Sequence, residues 1–148
     1  MQLAAHSDAG CLNEVKAKSR VSAHVCLYED VPIPTFNGVV LTISQIIKFI
    51  MSSATEAELV SLFLIVRKFV ALSQMLIEMR WPQQPTPMQV DNTMAVGVVT
   101  NNIIPKQTKS MDMRLWWLSF RTNQNKFRPY WATGKENLVY YTSKHHSG

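Results

Sequence analysis

Residues 55–80 carry neither Gly nor Pro. Across that span Leu59, Leu62, Phe63, Val66, Phe69 and Val70, then Met75, Leu76 and Met79, recur at helical spacing. The stretch reads as one long helix, or as two with a bend near Arg67 and Lys68. Its start is marked by Ser53-Ala54-Thr55-Glu56, a capping-box match in which Glu56 reaches back to the Ser53 N–H. Its end is marked by "WPQQPTP", since proline cannot continue a helix.

Strands are expected on either side of it. Residues 2–12 read as a strand and 13–20 as a polar turn. In residues 21–28, Val21, Ala23, Val25 and Leu27 alternate with Ser22, His24, Cys26 and Tyr28, which predicts a half-buried strand and a hairpin with the first. A loop follows, with Asn37-Gly38 as a turn signal. The β-branched stretch 39–45 predicts a third strand, and 46–51 extends it or begins the next connection. Beyond the long helix come a short strand at 88–91, a short helix at 92–101 and a helix at 108–124 with Met111, Leu115 and Leu118 on one face. A strand at 126–132 contains Pro129 and so belongs at an edge or is short. A closing helix is expected over 135–146. The order β-β-β-α-β-α-α-β-α describes a mixed sheet flanked by helices, an α/β (α+β mixed) fold.

The chain has 148 residues, of which 47% are hydrophobic, consistent with one domain over 1–148 that has a real core. No run of about 18 uninterrupted apolar residues predicts a membrane span, and no charged flank with an apolar h-region predicts a signal peptide. Cys11 and Cys26 read as reduced thiols of an intracellular protein, in a cytoplasmic particle or the nucleus. A Cys11–Cys26 bridge would need neighbouring strands to place them opposite each other. Charge is unevenly spread. Residues 1–100 carry a net −1 and residues 101–148 a net +6. A basic final third points to a polyanionic partner such as nucleic acid, or to a solvated basic face.

Three carboxylates lie at element ends or in apolar surroundings. Asp91 follows Met88-Gln89-Val90 at the carboxyl end of a strand, where α/β sheets collect ligands. It could equally cap the next helix. Asp8, in "HSDAG", could be a turn residue before Gly10. Of the two glutamates near the helix start, Glu56 is accounted for by the capping box. Residues two apart on a helix point about 200° apart, so only one of them can face the sheet. Glu58 shares a stripe with Leu62 and Ile65, where a carboxylate is costly unless paired or bound to metal. Three such acids at one sheet edge would repel. A hard divalent cation such as Mg²⁺ removes that repulsion and keeps waters for a phosphate substrate. Two such ions can activate a water and stabilise a leaving alkoxide in phosphodiester hydrolysis.

The segments "HSDAG", "SSATEAELVSL", "MQVDNTMAV", "TKSMDMRLWWL" and "ENLVYYTSK" resemble, in order and spacing, the ribonuclease H domain of copia-type retrotransposon polyproteins. The resemblance covers nearly the whole chain. It implies an RNase H-like five-stranded mixed sheet with the first three strands antiparallel. It implies cleavage of the RNA strand of an RNA–DNA hybrid with two Mg²⁺ ions, for which Mn²⁺ can substitute, and a covalently adjacent reverse transcriptase domain. By motif it assigns Asp8, Glu58 and Asp91 as catalytic metal ligands. The family's fourth acid falls on Tyr140, a poor Mg²⁺ ligand, and Glu136 is the nearest acid. The segment around Trp116 and Trp117 also departs from the family, where a histidine follows the arginine. The alternative function is therefore a remnant that binds hybrid or duplex without cutting it; a weaker third is a brace for an adjoining polymerase.

Lys106, Lys109 and Arg114 are the expected phosphate contacts. Trp116, Trp117 and Phe120 among Arg114 and Arg121 read as core aromatics, or as a surface on which bases stack. His6 and His24 are expected to be packed or hydrogen-bonded, and His145-His146 to be bystanders in a terminal tail.

Overall fold

The computed structural model describes residues 2–14, 18–28, 36–48, 53–100 and 109–132. Five strands form one sheet: β1 (Gln2–Glu14), β2 (Lys18–Tyr28), β3 (Phe36–Ile46), β4 (Thr86–Val90) and β5 (Phe127–Trp131), in the order β3-β2-β1-β4-β5. The first three are antiparallel, and β4 and β5 run parallel to β1. Three helices, α1 (Ala54–Glu78), α2 (Thr93–Val99) and α3 (Lys109–Asn123), complete the described elements. The mixed sheet and the element order agree with the sequence reading. The closing helix at 135–146 lies outside the described residues.

The long Gly- and Pro-free stretch is one helix, without a break at Arg67-Lys68. Ser53 is its N-cap and accepts from the Glu56 backbone N–H at 3.1 Å, satisfying one of the orphan donors of the first turn. Leu62, Ile65, Val66 and Phe69 are fully buried beneath it, against Leu3, Val21 and Val25 of the sheet. Phe69 meets Phe127 edge-to-face at 5.9 Å, which ties α1 to β5. By length and composition α1 is apolar enough to cross a membrane. Its first half nevertheless packs on the sheet as a core helix.

Three local expectations differ from the structure. β2 is buried on both faces, at Ser22 and Cys26 as well as at Val21, Ala23 and Val25, so alternation there did not mark an exposed face. Asn37-Gly38 lies inside β3, not in a turn. Gly38 adopts φ 99°, a left-handed conformation that glycine takes without strain, beside a register shift between β2 and β3. Cys26 is free and buried, in keeping with the reading of a reduced thiol, and the side chain of Cys11 lies outside those described. Trp116 and Phe120 are 65% and 42% exposed, so the core reading fails for both. It holds for Trp117, half-buried against Phe63. Pro129 sits on β5, an outer strand of the described sheet, where a missing N–H costs no ladder bond on the open side.

Candidate metal centre

β1 and β4 run parallel with His6 opposite Gln89. Asp8 and Asp91 each lie two residues further along, so the register sets them side by side at one end of the sheet. The period-two alternation of strands sends Asp8 to the same face as His6. Asp8 is paired with Ser22 of β2 and is buried. The N-terminal end of α1 arrives over the same sheet end and supplies Glu58, 3% exposed. Carboxylate oxygens of Asp8, Glu58 and Asp91 all lie within 4.8 Å of one another. They border an open cavity of about 320 Å³ whose rim includes Asn92 and Thr93.

Asp91 is free for this because it is not the cap of α2. Asn92 holds that position, and its Oδ1 accepts from the backbone N–H groups of Met94 (2.9 Å) and Ala95 (3.2 Å). Asn92 also donates through Nδ2 to Thr55 Oγ1 at 3.4 Å, which joins the starts of α1 and α2. The Asp91 backbone is held from the other side. Trp131, opposite Val90 in the β4–β5 register, donates its indole Nε1–H to the Asp91 carbonyl at 3.2 Å.

Glu58 is the electrostatic focus. Its Oε1 accepts from the Ala9 backbone N–H at 2.9 Å, and its Oε2 is buried with no hydrogen-bond partner. Burial pushes its pKa well above the ordinary carboxylate range. The charges of Asp91 and then Asp8 push the same way, and a Glu58 carboxyl that carries a proton can donate it to Asp91, a bond the charged form lacks. The Ala9 N–H opposes them. In the metal-free protein this carboxyl therefore holds a proton more tightly than a solvated glutamate. A small divalent cation coordinated by oxygens suits the arrangement, because it offsets the repulsion among the three acids and engages the orphaned Oε2 lone pairs.

The other sequence-derived candidates stand elsewhere. Lys106 lies outside the described residues, as do Glu136, Tyr140, His145 and His146. Lys109 begins α3. The Arg114 guanidinium lies over the Phe63 ring at 5.9 Å. Phe63 is five residues beyond Glu58, roughly 140° round the helix, so Arg114 is away from the acidic cluster. His24 shares a hydrogen bond with Thr42 Oγ1 at 3.1 Å and His6 is buried, as expected. Sequence reading missed Trp131 and Asn92. The parallel β4–β5 register, which no local pattern encodes, is what brings Trp131 to Asp91.

No family model matches the chain, and no curated protein matches it. Solved structures do share its fold. LC11-RNase H1, isolated from compost by a metagenomic approach, superposes with a TM-score of 0.68 at 10% identity, over 95% of this chain and 90% of that one. The same enzyme in complex with an RNA/DNA hybrid gives 0.65 at 8% identity, over 92% and 88%. The N-terminal RNase H domain of Rv2228c from Mycobacterium tuberculosis gives 0.64 at 14% identity, over 93% and 86%. The prototype foamy virus protease–reverse transcriptase gives 0.58 at 10% identity, over 95% of this chain and 18% of that one. The fold is thus that of RNase H domains.

Proposed function

We propose that this chain is a divalent-metal-dependent endonuclease that hydrolyses the RNA strand of RNA–DNA hybrids. One observation carries the reading. Three carboxylates from β1, α1 and the end of β4 converge within 4.8 Å around a buried, unpartnered Glu58 oxygen, at one sheet end of an RNase H fold. Asp8, Glu58 and Asp91 would hold Mg²⁺, or Mn²⁺ in its place. Bound there, the metal would lower the pKa of a water and stabilise negative charge on the departing 3′ oxygen. The chain's own groups position that chemistry. Ala9 N–H fixes the Glu58 carboxylate, Asn92 takes over the capping of α2 so that Asp91 stays available, and Trp131 anchors the Asp91 backbone. A hybrid would be selected by shape and 2′-hydroxyls and not by base sequence. The net +6 of residues 101–148, with Lys106 and Lys109 among them, supplies counter-charge for its phosphates.

The motif order favours a copia-type retrotransposon polyprotein as the origin. The match to a stretch of a viral protease–reverse transcriptase chain supports a covalently adjacent reverse transcriptase. We place such a protein inside the cell, in a cytoplasmic particle or the nucleus. Tyr140 at the fourth acid position favours a second reading, a module that binds hybrid without cutting it. Incubating a labelled hybrid with the chain in Mg²⁺ or Mn²⁺ separates the two. The first reading expects RNA-strand cleavage that Asp91→Asn abolishes and Tyr140→Asp increases. Salt-sensitive hybrid binding without cleavage at any metal concentration would leave only the second.

A further inference from the structure

Ser22 is fully buried on β2, and its Oγ has no hydrogen-bond partner among the described residues. Burying a hydroxyl that bonds nothing costs free energy that an alanine would not, so the packing of the sheet gives no reason for the hydroxyl. Its place does. In the β1–β2 register Ser22 stands opposite Asp8. Directly opposed residues project to the same face of a sheet, with Cβ atoms about 4.5–5.5 Å apart. A hydroxyl and a carboxylate span that gap with a bond of about 2.5–2.7 Å. Other polar side chains beside Ser22 on that face are engaged with one another. Ser44, opposite Ser22 on β3, accepts from Arg20 at 3.1 Å. His24, two residues along β2, shares a hydrogen bond with Thr42 at 3.1 Å.

We propose that Ser22 is a positioning residue of the metal centre. It donates its O–H to the Asp8 carboxylate when that group turns to a divalent cation, and so fixes the orientation of Asp8. The other two acids are held in comparable ways, Glu58 by the Ala9 N–H and the Asp91 backbone by the Trp131 indole. An ionised carboxylate has about four lone-pair sites, so this bond adds to the other interactions of Asp8 and displaces none. Hydrogen bonds of this kind to ligating carboxylates set the direction of the ligand and hence the affinity for the ion. Thr86 gives a comparison within the same sheet. Its Oγ1 is also buried and unpartnered, but Thr86 opens β4. It stands about 16 Å along the strand from Asp91, and its hydroxyl has no acid to hold there. The inference rests on the reading of Asp8, Glu58 and Asp91 as ligands of a divalent cation.

Titrating the whole chain with Mn²⁺, with the free ion followed by electron paramagnetic resonance, tests this alongside thermal unfolding in EDTA. Ser22→Ala should weaken Mn²⁺ binding by about 10–100-fold. Its unfolding midpoint in EDTA should stay at or above the native one, because the variant sheds an unsatisfied hydroxyl. A role confined to packing would move both quantities downward together. Ser22→Thr keeps the hydroxyl and should recover most of the affinity, and Thr86→Val should bind Mn²⁺ as the native chain does. Undiminished affinity in Ser22→Ala, or equal weakening in Thr86→Val, would overturn the proposal and leave the metal centre standing. So would a Ser22→Ala chain that fails to fold or melts lower in EDTA, or a folded Ser22→Thr chain that binds as weakly as Ser22→Ala. A native chain that binds no Mn²⁺ would remove the metal centre itself, and this proposal with it.

Discussion

Ala9 donates its backbone N–H to Glu58 Oε1 at 2.9 Å, while the other oxygen of that carboxylate is buried without a partner. One bond from β1 thus fixes a side chain of α1 whose charge the fold alone does not satisfy. Glu58→Gln keeps an acceptor for Ala9 and removes the charge. In EDTA at neutral pH the variant should be more stable than the native chain, because it no longer buries a charge that desolvation and the neighbouring Asp91 and Asp8 disfavour. Its unfolding midpoint should rise by about 2–4 °C per kcal/mol. Added Mg²⁺ should stabilise the native chain and leave the variant unmoved. Differential scanning calorimetry with and without metal measures both.

The same raised carboxyl sets a pH dependence for the metal-free protein. A group whose folded pKa exceeds its unfolded value stabilises the fold fully below the unfolded value, and that contribution is lost as pH climbs through the folded one. Native chain in EDTA should therefore lose stability from the ordinary glutamate range upward. Glu58→Gln should lack that part of the slope. Urea midpoints across a pH series check it. A native slope no steeper than that of the variant would contradict the assigned environment.

Asn92 caps α2 through two backbone N–H groups and reaches Thr55 on α1. Asn92→Ala should cost about 1 kcal/mol and, by loosening the turn that presents Asp91, weaken metal binding as well. Asn92→Ser should restore most of the stability. Denaturant unfolding of the three chains gives the values.

Trp131 is 51% exposed, and its indole N–H donates to the Asp91 carbonyl. Trp131→Phe should cost at most about 1 kcal/mol of stability. It should lower metal affinity several-fold by freeing the Asp91 backbone. Phe69→Ala is the contrast. It empties a fully buried site between α1 and β5 and should cost about 3–5 kcal/mol.

The parts of this fold that were legible in the chain are those with local causes. Absence of Gly and Pro together with helical periodicity announced α1, and proline ended it. Alternation announced β2, and Pro129 announced a strand at an edge. Of the candidate site, two of the three acids that the fold clusters stood out beforehand because Glu58 breaks an otherwise apolar stripe and Asp91 closes a strand. What stayed hidden depends on register. Whether Asp91 or Asn92 caps α2 is a competition between adjacent residues that composition does not decide. Trp131 reaches Asp91 through parallel pairing of strands forty residues apart in the chain. Trp116 and Phe120 were expected inside by hydrophobicity, but their exposure follows from which face of α3 meets α1 and the sheet.

Isothermal titration of the chain with Mg²⁺, and separately with Mn²⁺, tests most directly whether these three acids form a metal centre. A binding heat in the native chain, lost in Asp91→Asn and in Asp8→Asn while both variants remain folded, is the predicted result. No heat from either metal, or an undiminished heat in both variants, would contradict it.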